Sequence, residues 1–294
     1  MDQERTKDAI QKRRSPLPAR AAKRMTVGDL EGALLAEFPA ADAESWDRTG
    51  LYVGEAAVPV RTVAVALDAT VAAIAQAASA GAQVLITHHP AYLSAPDAFA
   101  PEPSAALSPG AAVFAAVRNG VALMDFHTAL DASKRGNEAL PALLALQATG
   151  RVVRPIAPRS HKGYGQICKT KQRDLTVQQL AARCTSVFGR VPRVWGAPDA
   201  PVSTVVTATG SANGMGTDVL AAKAQCLICG ELRYHEALDL SQAGLALIEL
   251  GHDVSELPLV AVLADAVAKA GVPRDAIMVI DQSENWHYPE AIRL

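Results

Sequence analysis

The chain has 294 residues, half of them hydrophobic and a fifth charged, which is enough to bury the core of one large domain or of two ordinary ones. No apolar run reaches the roughly 18 residues of a membrane span, and the polar start lacks the apolar segment of a signal peptide. We therefore predict a cytoplasmic protein without a membrane partner.

Residues 1–24 form a basic leader with eight Lys or Arg and three acidic residues, so the rest of the chain carries a net charge of −7. This acidic body argues against a nucleic-acid partner. We expect the leader to be disordered, although an arm that binds nucleic acid or a protein would have the same composition. A misassigned start would also explain it, because Met25 opens MTVGDLEGALLAEF, which has the pattern of an amphipathic helix.

Apolar β-branched runs alternate with alanine-rich stretches along the whole chain, which is the pattern of an α/β fold. The stretch 92–110 is rich in Pro, Ser and Ala and is predicted to be an exposed loop. The predicted strands are 62–68, 82–87, 121–126, 151–157, 163–170, 203–211, 224–229, 245–250 and 276–281. The predicted helices are 69–81, 111–120, 136–148, 175–189 with Thr176 as its cap, 215–223, 233–243 and 256–270.

The two halves of the chain repeat one another. VAVALDAT begins at Val63 and AQVLI at Ala82, while VVTATGSA begins at Val205 and AQCLI at Ala224, so both offsets are 19 residues. The repeat predicts a duplicated strand-helix-strand unit and two related α/β domains, at residues 25–150 and 151–294. Ligands of open α/β sheets gather beyond the carboxyl ends of the strands, so we expect one site between the two domains.

Two of the four cysteines form a C-x-x-C motif in QCLICGE. Such a pair suits a zinc or redox site when a second pair completes it. CLIC also reads as the end of a buried strand, where a cysteine behaves as a small apolar residue. We favour buried, reduced thiols for Cys168, Cys184, Cys226 and Cys229.

Polar side chains that can bind metals follow four of the predicted strands, and five of the seven histidines are among them. Imidazole together with carboxylate favours zinc, iron or manganese over calcium or magnesium. More than four candidate ligands indicate two metal ions, or one ion with acid–base partners. Taken singly, each residue could instead be a solvated histidine, a turn former or a carboxylate at a helix start. The candidates are His88, His89, His127, Asp131, Glu231, His235, His252 and Glu256.

His88 and His89 are adjacent, and neighbouring side chains on a strand point to opposite faces. We therefore place the pair just past the end of the predicted strand 82–87, where Pro90 favours an extended backbone at His89. There, the two diverging imidazoles could each reach one of two metal ions lying side by side.

Five motifs occur in the order and spacing of a known family. These are SWDRTGLYVG (45–54), LITHHP (85–90), HTALD (127–131), CGELRYH (229–235) and GHDVSE (251–256). On these motifs, residues 26–290 resemble the Nif-three-like proteins, which often carry the name GTP cyclohydrolase I type 2. Two positions depart from the family pattern, since Arg48 and Ala129 each stand where the family usually has Asn.

The resemblance implies two related α/β domains with a dinuclear metal site between them, and a homohexamer whose sites face an interior cavity. It implies two divalent ions per chain (Zn, Fe or Mn). The metal ligands it implies are His88, His89, Asp131, His252 and Glu256, with Glu256 as the bridging carboxylate. His127 and His235 would transfer protons or orient a small-molecule substrate, possibly a nucleotide.

Two hypotheses for the function follow. The first is a metal-dependent hydrolase that acts through a metal-bound hydroxide, with GTP as substrate implied by the family name alone. The glycine-containing loop TATGSANGMGTD (207–218) could approach a phosphate through its N–H groups, although any strand–helix turn has this composition. The second hypothesis is a non-catalytic metal chaperone or protein-interaction hub.

Overall fold

The computed structural model describes residues 24–101 and 109–289. Residues 1–23 of the predicted leader and 102–108 of the predicted loop lie outside these ranges. The helices are α1 (Val27–Glu37), α2 (Val71–Ser79), α3 (Pro109–Asn119), α4 (Thr128–Asp131), α5 (Lys134–Leu143), α6 (Val177–Phe188), α7 (Gly216–Ala221), α8 (Tyr234–Gln242) and α9 (His252–Lys269).

Two mixed β-sheets form the framework of the described residues, which confirms the predicted α/β fold. The first sheet has the order β1-β4-β3-β2-β11, and the second has the order β5-β6-β8-β9-β10-β7. Parallel strands occupy the centre of each sheet, and antiparallel strands lie on one or both edges. The strands are β1 (Thr49–Val53), β2 (Val63–Asp68), β3 (Val84–His89), β4 (Ala122–Phe126), β5 (Gln147–Pro155), β6 (Gly163–Lys169), β7 (Arg193–Trp195), β8 (Thr204–Thr207), β9 (Cys226–Cys229), β10 (Ala246–Glu249) and β11 (Ile277–Val279).

One glutamine in each half shows why the AQxLI sequence repeats. The Gln83 side chain accepts hydrogen bonds from the backbone N–H groups of Arg61 and Thr62 and donates one to the carbonyl of Gly81. The Gln225 side chain makes the corresponding bonds in the second sheet, with Ser203, Thr204 and Lys223. Each glutamine therefore joins the start of two parallel strands, as expected of a duplicated unit.

The end of the chain returns to the first sheet. Strand β11 pairs in parallel with β2, and Leu259 and Leu263 of α9 pack in the same apolar cluster as Val63 and Val65. The chain thus completes the second sheet before adding one more strand to the first. The predicted domain boundary at residue 150 places β11 in the second domain, whereas β11 pairs with a strand of the first sheet.

Several predicted boundaries differ from the structure. Helix α5 ends at Leu143, well before the predicted residue 148, because Ala145 adopts a left-handed conformation (φ 52°). The predicted loop 92–110 stops at Pro109, where α3 begins. The short strands β1 and β7 were not predicted. Thr176 does cap α6, and its hydroxyl and the Gln179 side chain form a reciprocal capping box.

Helix α9 begins one turn earlier than the predicted residue 256. Gly251 has a φ of 103°, which turns the chain from the end of β10 directly into the helix without an intervening loop. His252 and Glu256 are therefore separated by one helical turn, and their side chains lie on one face of the helix.

All four cysteines are buried and free, which confirms the prediction of buried thiols. Burial raises the pKa of Cys168 and of Cys184 to about 12, so neither forms a thiolate near neutral pH. Among the helices of the described residues, none combines the length and apolar character needed to cross a bilayer.

Candidate metal centre

The candidate centre lies where the carboxyl ends of strands from the two sheets approach each other. In the described part of the chain, three groups of side chains offer ligand atoms that all lie within 4.8 Å of one another. Six of the eight residues predicted from the sequence therefore converge. The three groups are His88, His89 and His127; His89, His252 and Glu256; and His88, Asp131 and Glu256.

The adjacent histidines are the last two residues of β3, so the prediction that they follow the strand is wrong. Their rings nevertheless lie together, with centroids 4.7 Å apart. Hydrogen bonds to the two neighbouring strands explain this orientation. His88 Nδ1 lies 3.2 Å from the carbonyl oxygen of Phe126 on β4, and His89 Nδ1 lies 2.8 Å from Oδ1 of Asp68 on β2.

Each histidine of the cluster is held through its Nδ1 atom by an oxygen that only accepts hydrogen bonds. Each Nδ1 therefore carries a hydrogen, and Nε2 is the atom that can bind a cation when the imidazole is neutral. Metal-binding histidines almost always show this arrangement. The pairs are His88 with the carbonyl of Phe126, His89 with Asp68, His127 with Asp47, and His252 with Glu231.

Glu256 lies between the histidines. Its Oε1 atom is 3.6 Å from Nε2 of His88, whereas Oε2 is 3.0 Å from Nε2 of His89 and 3.3 Å from Nε2 of His252. Nε2 of His88 is also 3.7 Å from Oδ2 of Asp131. We call His88, Asp131 and Glu256 the first ligand group. We call His89, His252 and Glu256 the second ligand group. Glu256 is common to both.

The residues present fit a metal ion. Nε2 of His88 and Oε2 of Glu256 are buried, and neither has a hydrogen-bond partner among the described residues. Buried polar atoms nearly always have partners, so these two atoms need an explanation. The three groups consist of imidazoles and carboxylates and contain no cysteine. Such a donor set could bind a divalent metal ion.

The electrostatics of the cluster favour positive charge beside Glu256. Burial alone would lower the pKa of His89, but the neighbouring carboxylates of Asp68 and Glu256 outweigh it and raise that pKa to about 10. For His88, burial is likewise outweighed, and Asp131 and Glu256 raise its pKa. The two imidazoles in turn hold the pKa of Glu256 well below its ordinary value, against the effect of burial. A divalent cation would satisfy the same carboxylates in place of these protons.

The second sheet contributes the loop after β8 to the centre. Thr209 Oγ1 donates a 2.7 Å hydrogen bond to Oδ1 of Asp131. This bond uses Oδ1 of Asp131, whereas Oδ2 faces Nε2 of His88. The N–H groups of Gly210 and Gly214 already donate to side chains, those of Ser255 and Glu236. The structure thus gives this loop a role in shaping the centre, and these two N–H groups are not available to a phosphate.

Asp47 is a functional candidate that the sequence reasoning missed. Its Oδ1 lies 3.1 Å from Nδ1 of His127, and its Oδ2 accepts hydrogen bonds from the N–H and the hydroxyl of Thr128. Burial would raise the pKa of Asp47, but these hydrogen bonds lower it to about 2. Asp47 is therefore ionised at neutral pH and fixes the ring of His127. Its position in the motif SWDRTG could have identified it from the sequence.

Two of the predicted strand-end residues do not reach the cluster. Glu231 contacts Nδ1 of His252 from outside, so it supports that histidine. His235 is exposed on α8, where its ring contacts Tyr234, and it does not line the cavity of the centre. Of the two residues predicted to transfer protons or to orient a substrate, only His127 lies at the centre.

The two departures from the family pattern lie beside the centre. The guanidinium carbon of Arg48 is 4.9 Å from the centroid of the Tyr92 ring. Ala129 is buried in the core of the first sheet. Neither residue belongs to a ligand group, and neither is among the ligands that the family resemblance implies.

A cavity of about 500 Å³ opens over the centre. Its walls come from both sheets, and it is large enough for a small molecule. Trp46 lies at this cavity with more than half of its surface exposed, and its ring contacts His127 edge-on at 5.8 Å between centroids. The opposite wall includes Arg154, whose guanidinium is paired with Asp218.

Solved structures share this architecture. The Staphylococcus aureus hypothetical protein SA1388 superposes with a TM-score of 0.78 at 20% identity, over 90% of this chain and 100% of that one. A Bacillus cereus protein related to NIF3 superposes with a TM-score of 0.75 at 18% identity, over 90% of this chain and 99% of that one. At these identities the likeness shows the fold alone.

Sequence comparisons show the family. A Streptomyces coelicolor protein named GTP cyclohydrolase 1 type 2 homolog is 34% identical over 239 residues, which are 77% of this chain and 80% of the relative. The model of the Duf34/NIF3 (NGG1p interacting factor 3) family matches residues 25–285. The chain therefore belongs to the Duf34/NIF3 family.

Proposed function

We propose that the chain binds two divalent cations, one at the first ligand group and one at the second, with Glu256 bridging them. The observation that carries this proposal is the division of the Glu256 carboxylate, since Oε1 faces His88 while Oε2 faces His89 and His252. Zinc, iron and manganese suit the donor atoms.

The proposed activity is hydrolysis of a small molecule bound in the cavity. When bound, a pair of divalent cations supplies Lewis-acid activation of water and of a substrate oxygen. The protein's own contribution is acid–base catalysis by His127, which lies in one group with His88 and His89 while Asp47 holds its Nδ1. His235 was also predicted to have such a role, but its exposed position on α8 offers no support for it.

Nucleotides are one candidate class of substrate. The Streptomyces coelicolor relative carries a name that refers to GTP, and the cavity size would suit a nucleotide. The alternative function, a metal chaperone or a protein-interaction hub, uses the same metal centre without turnover. Trp46 is exposed and lines the cavity, where a partner protein could contact it.

The metal centre is tested by the metal content of Glu256→Ala, measured by elemental analysis after reconstitution. Wild type should hold two equivalents and the variant well below one, because the variant lacks the carboxylate shared by both groups. Glu55→Ala is the matched control, since Glu55 is exposed and outside the cluster. Two equivalents retained by Glu256→Ala would overturn the assignment.

The activity is tested by a substrate screen of the metal-loaded protein against nucleotides, phosphodiesters and cyclic amides. Turnover should depend on the metal and should be lost in Asp131→Ala, which removes a side chain of the first ligand group. Absence of turnover from every class, in protein that holds two metal equivalents, would favour the non-catalytic alternative.

We also propose the homohexamer that the family resemblance implies. Light scattering should then give a mass six times the 30.7 kDa of the chain. A monomeric mass at micromolar concentration would contradict it.

A further inference from the structure

Residues 280–288 run from the first sheet to the start of α9, beside the candidate centre. After β11, the N–H of Ile280 still donates to the carbonyl of Val65 on β2. The next residues, 282–288, leave the sheet, and we call them the C-terminal strap. Two of their side chains, Gln282 and Trp286, contact residues next to the second ligand group.

Gln282 extends the pairing of β11 with β2 by means of its side chain. Its Oε1 accepts hydrogen bonds of 2.9 and 2.8 Å from the N–H groups of Leu67 and Asp68, and its Nε2 donates to the carbonyl of Asp68. The side chain is only 7% exposed, so solvent does not readily replace these bonds. Gln282 therefore fixes the backbone at the carboxyl end of β2.

Asp68 connects this contact to the centre. Its Oδ1 holds Nδ1 of His89 at 2.8 Å, and Nε2 of His89 faces Glu256. His88 does not depend on the same contact, because the carbonyl of Phe126 holds its Nδ1. Loss of the Gln282 hydrogen bonds should therefore displace His89, in the second ligand group, and leave His88, in the first, in place.

Trp286 makes the corresponding contact with α9. Its indole N–H donates a 2.9 Å hydrogen bond to Oδ2 of Asp253, the neighbour of His252 in the first turn of the helix. Arg190, in the loop between α6 and β7, holds the strap in place. Its guanidinium lies 4.2 Å from the centroid of the Trp286 ring and donates to the carbonyls of Ser283 and Trp286.

We propose that the C-terminal strap sets the spacing of His89 and His252, with Gln282 and Trp286 as positioning residues for the second metal ion. Gln282 acts on His89 through Asp68, and Trp286 acts on His252 through Asp253. The inference rests on the proposed two-metal centre. It adds that affinity at one of the two positions is controlled by residues at the far end of the chain.

The test compares Gln282→Met with Gln83→Met. Methionine nearly preserves the size of glutamine and removes its hydrogen bonds. Gln83 is the matched control, because it joins the opposite end of β2 by the same kind of bonds, far from the ligands. Urea unfolding measures the stability of each variant, and metal is titrated under conditions where both variants are folded, so a difference in metal binding is not a difference in folding.

The readout is a Co²⁺ titration of the apoprotein, followed by visible absorption and elemental analysis. Wild type and Gln83→Met should bind two equivalents. Gln282→Met should bind the first equivalent normally and the second more weakly. Removing a group bonded directly to a ligand weakens metal binding by about 10- to 100-fold, and this is the upper limit for Gln282, which acts on His89 through Asp68. Two equivalents with unchanged affinity, or equal weakening of both, would overturn the inference. Wild type that binds no metal would instead refute the proposed centre.

Trp286→Phe provides a second test that keeps an aromatic ring beside Arg190 but removes the indole N–H that donates to Asp253. It should weaken the second equivalent in the same direction. Normal binding of both equivalents by this variant would remove Trp286 from the inference.

Discussion

The carboxylate of Glu256 lies against the backbone of the loop after β8, and only glycine fits at the contact. A Cβ atom at position 210 would lie 2.2 Å from Oε1 of Glu256, and Gly210 also has a φ of 57°, a conformation that side chains other than glycine rarely adopt. The residue therefore sets how closely the loop after β8 approaches Glu256.

Gly210→Ala should displace Glu256 and lower the metal content, because the new methyl group takes the place of the carboxylate. The left-handed backbone should also cost about 1–2 kcal/mol of stability. Gly214→Ala separates the two effects, since Gly214 has a φ of 74° but open space around its Cβ position. Elemental analysis should show metal loss in Gly210→Ala alone. Equal metal contents in the two variants would contradict the steric argument.

The N-terminal ends of two helices, α9 and α6, determine two features of the molecule. Helix α9 begins immediately after Gly251, and this early start places His252 and Glu256 one turn apart on the same face. Helix α6 begins with a reciprocal cap in which Thr176 and Gln179 satisfy N–H groups that lack partners within the helix. The first arrangement serves the centre, whereas the second serves stability alone.

Thr176→Ala should lower the free energy of unfolding by about 1 kcal/mol, the usual effect of removing a helix N-cap. Metal content should not change, because α6 provides no ligand. Ser186→Ala, at an exposed position later in the same helix, should have little effect on stability. Urea unfolding of the three proteins measures the difference. A loss of metal from Thr176→Ala would show that α6 and the centre are coupled.

The centre belongs to the whole molecule, since its parts come from distant segments of the chain. Asp47 and His127 are 80 residues apart, and Gln282 and Asp68 are 214 residues apart. Asp131 of the first half is held by Thr209 of the second. The charge of the cluster is likewise shared, because carboxylates from several elements raise the pKa values of His88 and His89.

Stability should depend on pH in opposite ways with and without metal. In chelated protein the pKa of His89 is raised from 6.5 to about 10. A raised pKa stabilises the fold in full below pH 6.5, and this contribution is lost as the pH rises through about 10. Metal binding requires neutral imidazoles, so it should release protons and strengthen as the pH rises.

Calorimetric titration at pH 7 in two buffers of different ionisation enthalpy measures the released protons, and thermal unfolding from pH 6 to 9 measures stability. Chelated protein should lose stability over this range, while metal-loaded protein should gain relative to it. Binding heats independent of the buffer would contradict the displacement of protons by metal.

Local patterns in the sequence determined the α/β fold, the duplicated unit, the cap of α6 and the kinds of residue that gather at the centre. Hydrophobic periodicity and strand-end polarity are properties of short stretches, so they are readable without a fold. Asp68 could have been found by the same reasoning, because it ends the first predicted strand. The motif resemblance added the ligand set, which stays a prediction until metal content is measured.

Only the tertiary structure decided which side chains meet. Nothing in the spacing of Asp47 and His127 predicts their contact, and nothing local distinguishes His127, which reaches the centre, from His235, which does not. The return of β11 to the first sheet placed Gln282 beneath Asp68. The order of strands in a sheet arises from contacts between segments far apart in the chain. So do the hydrogen bonds from β4 and β2 that orient His88 and His89 toward one site.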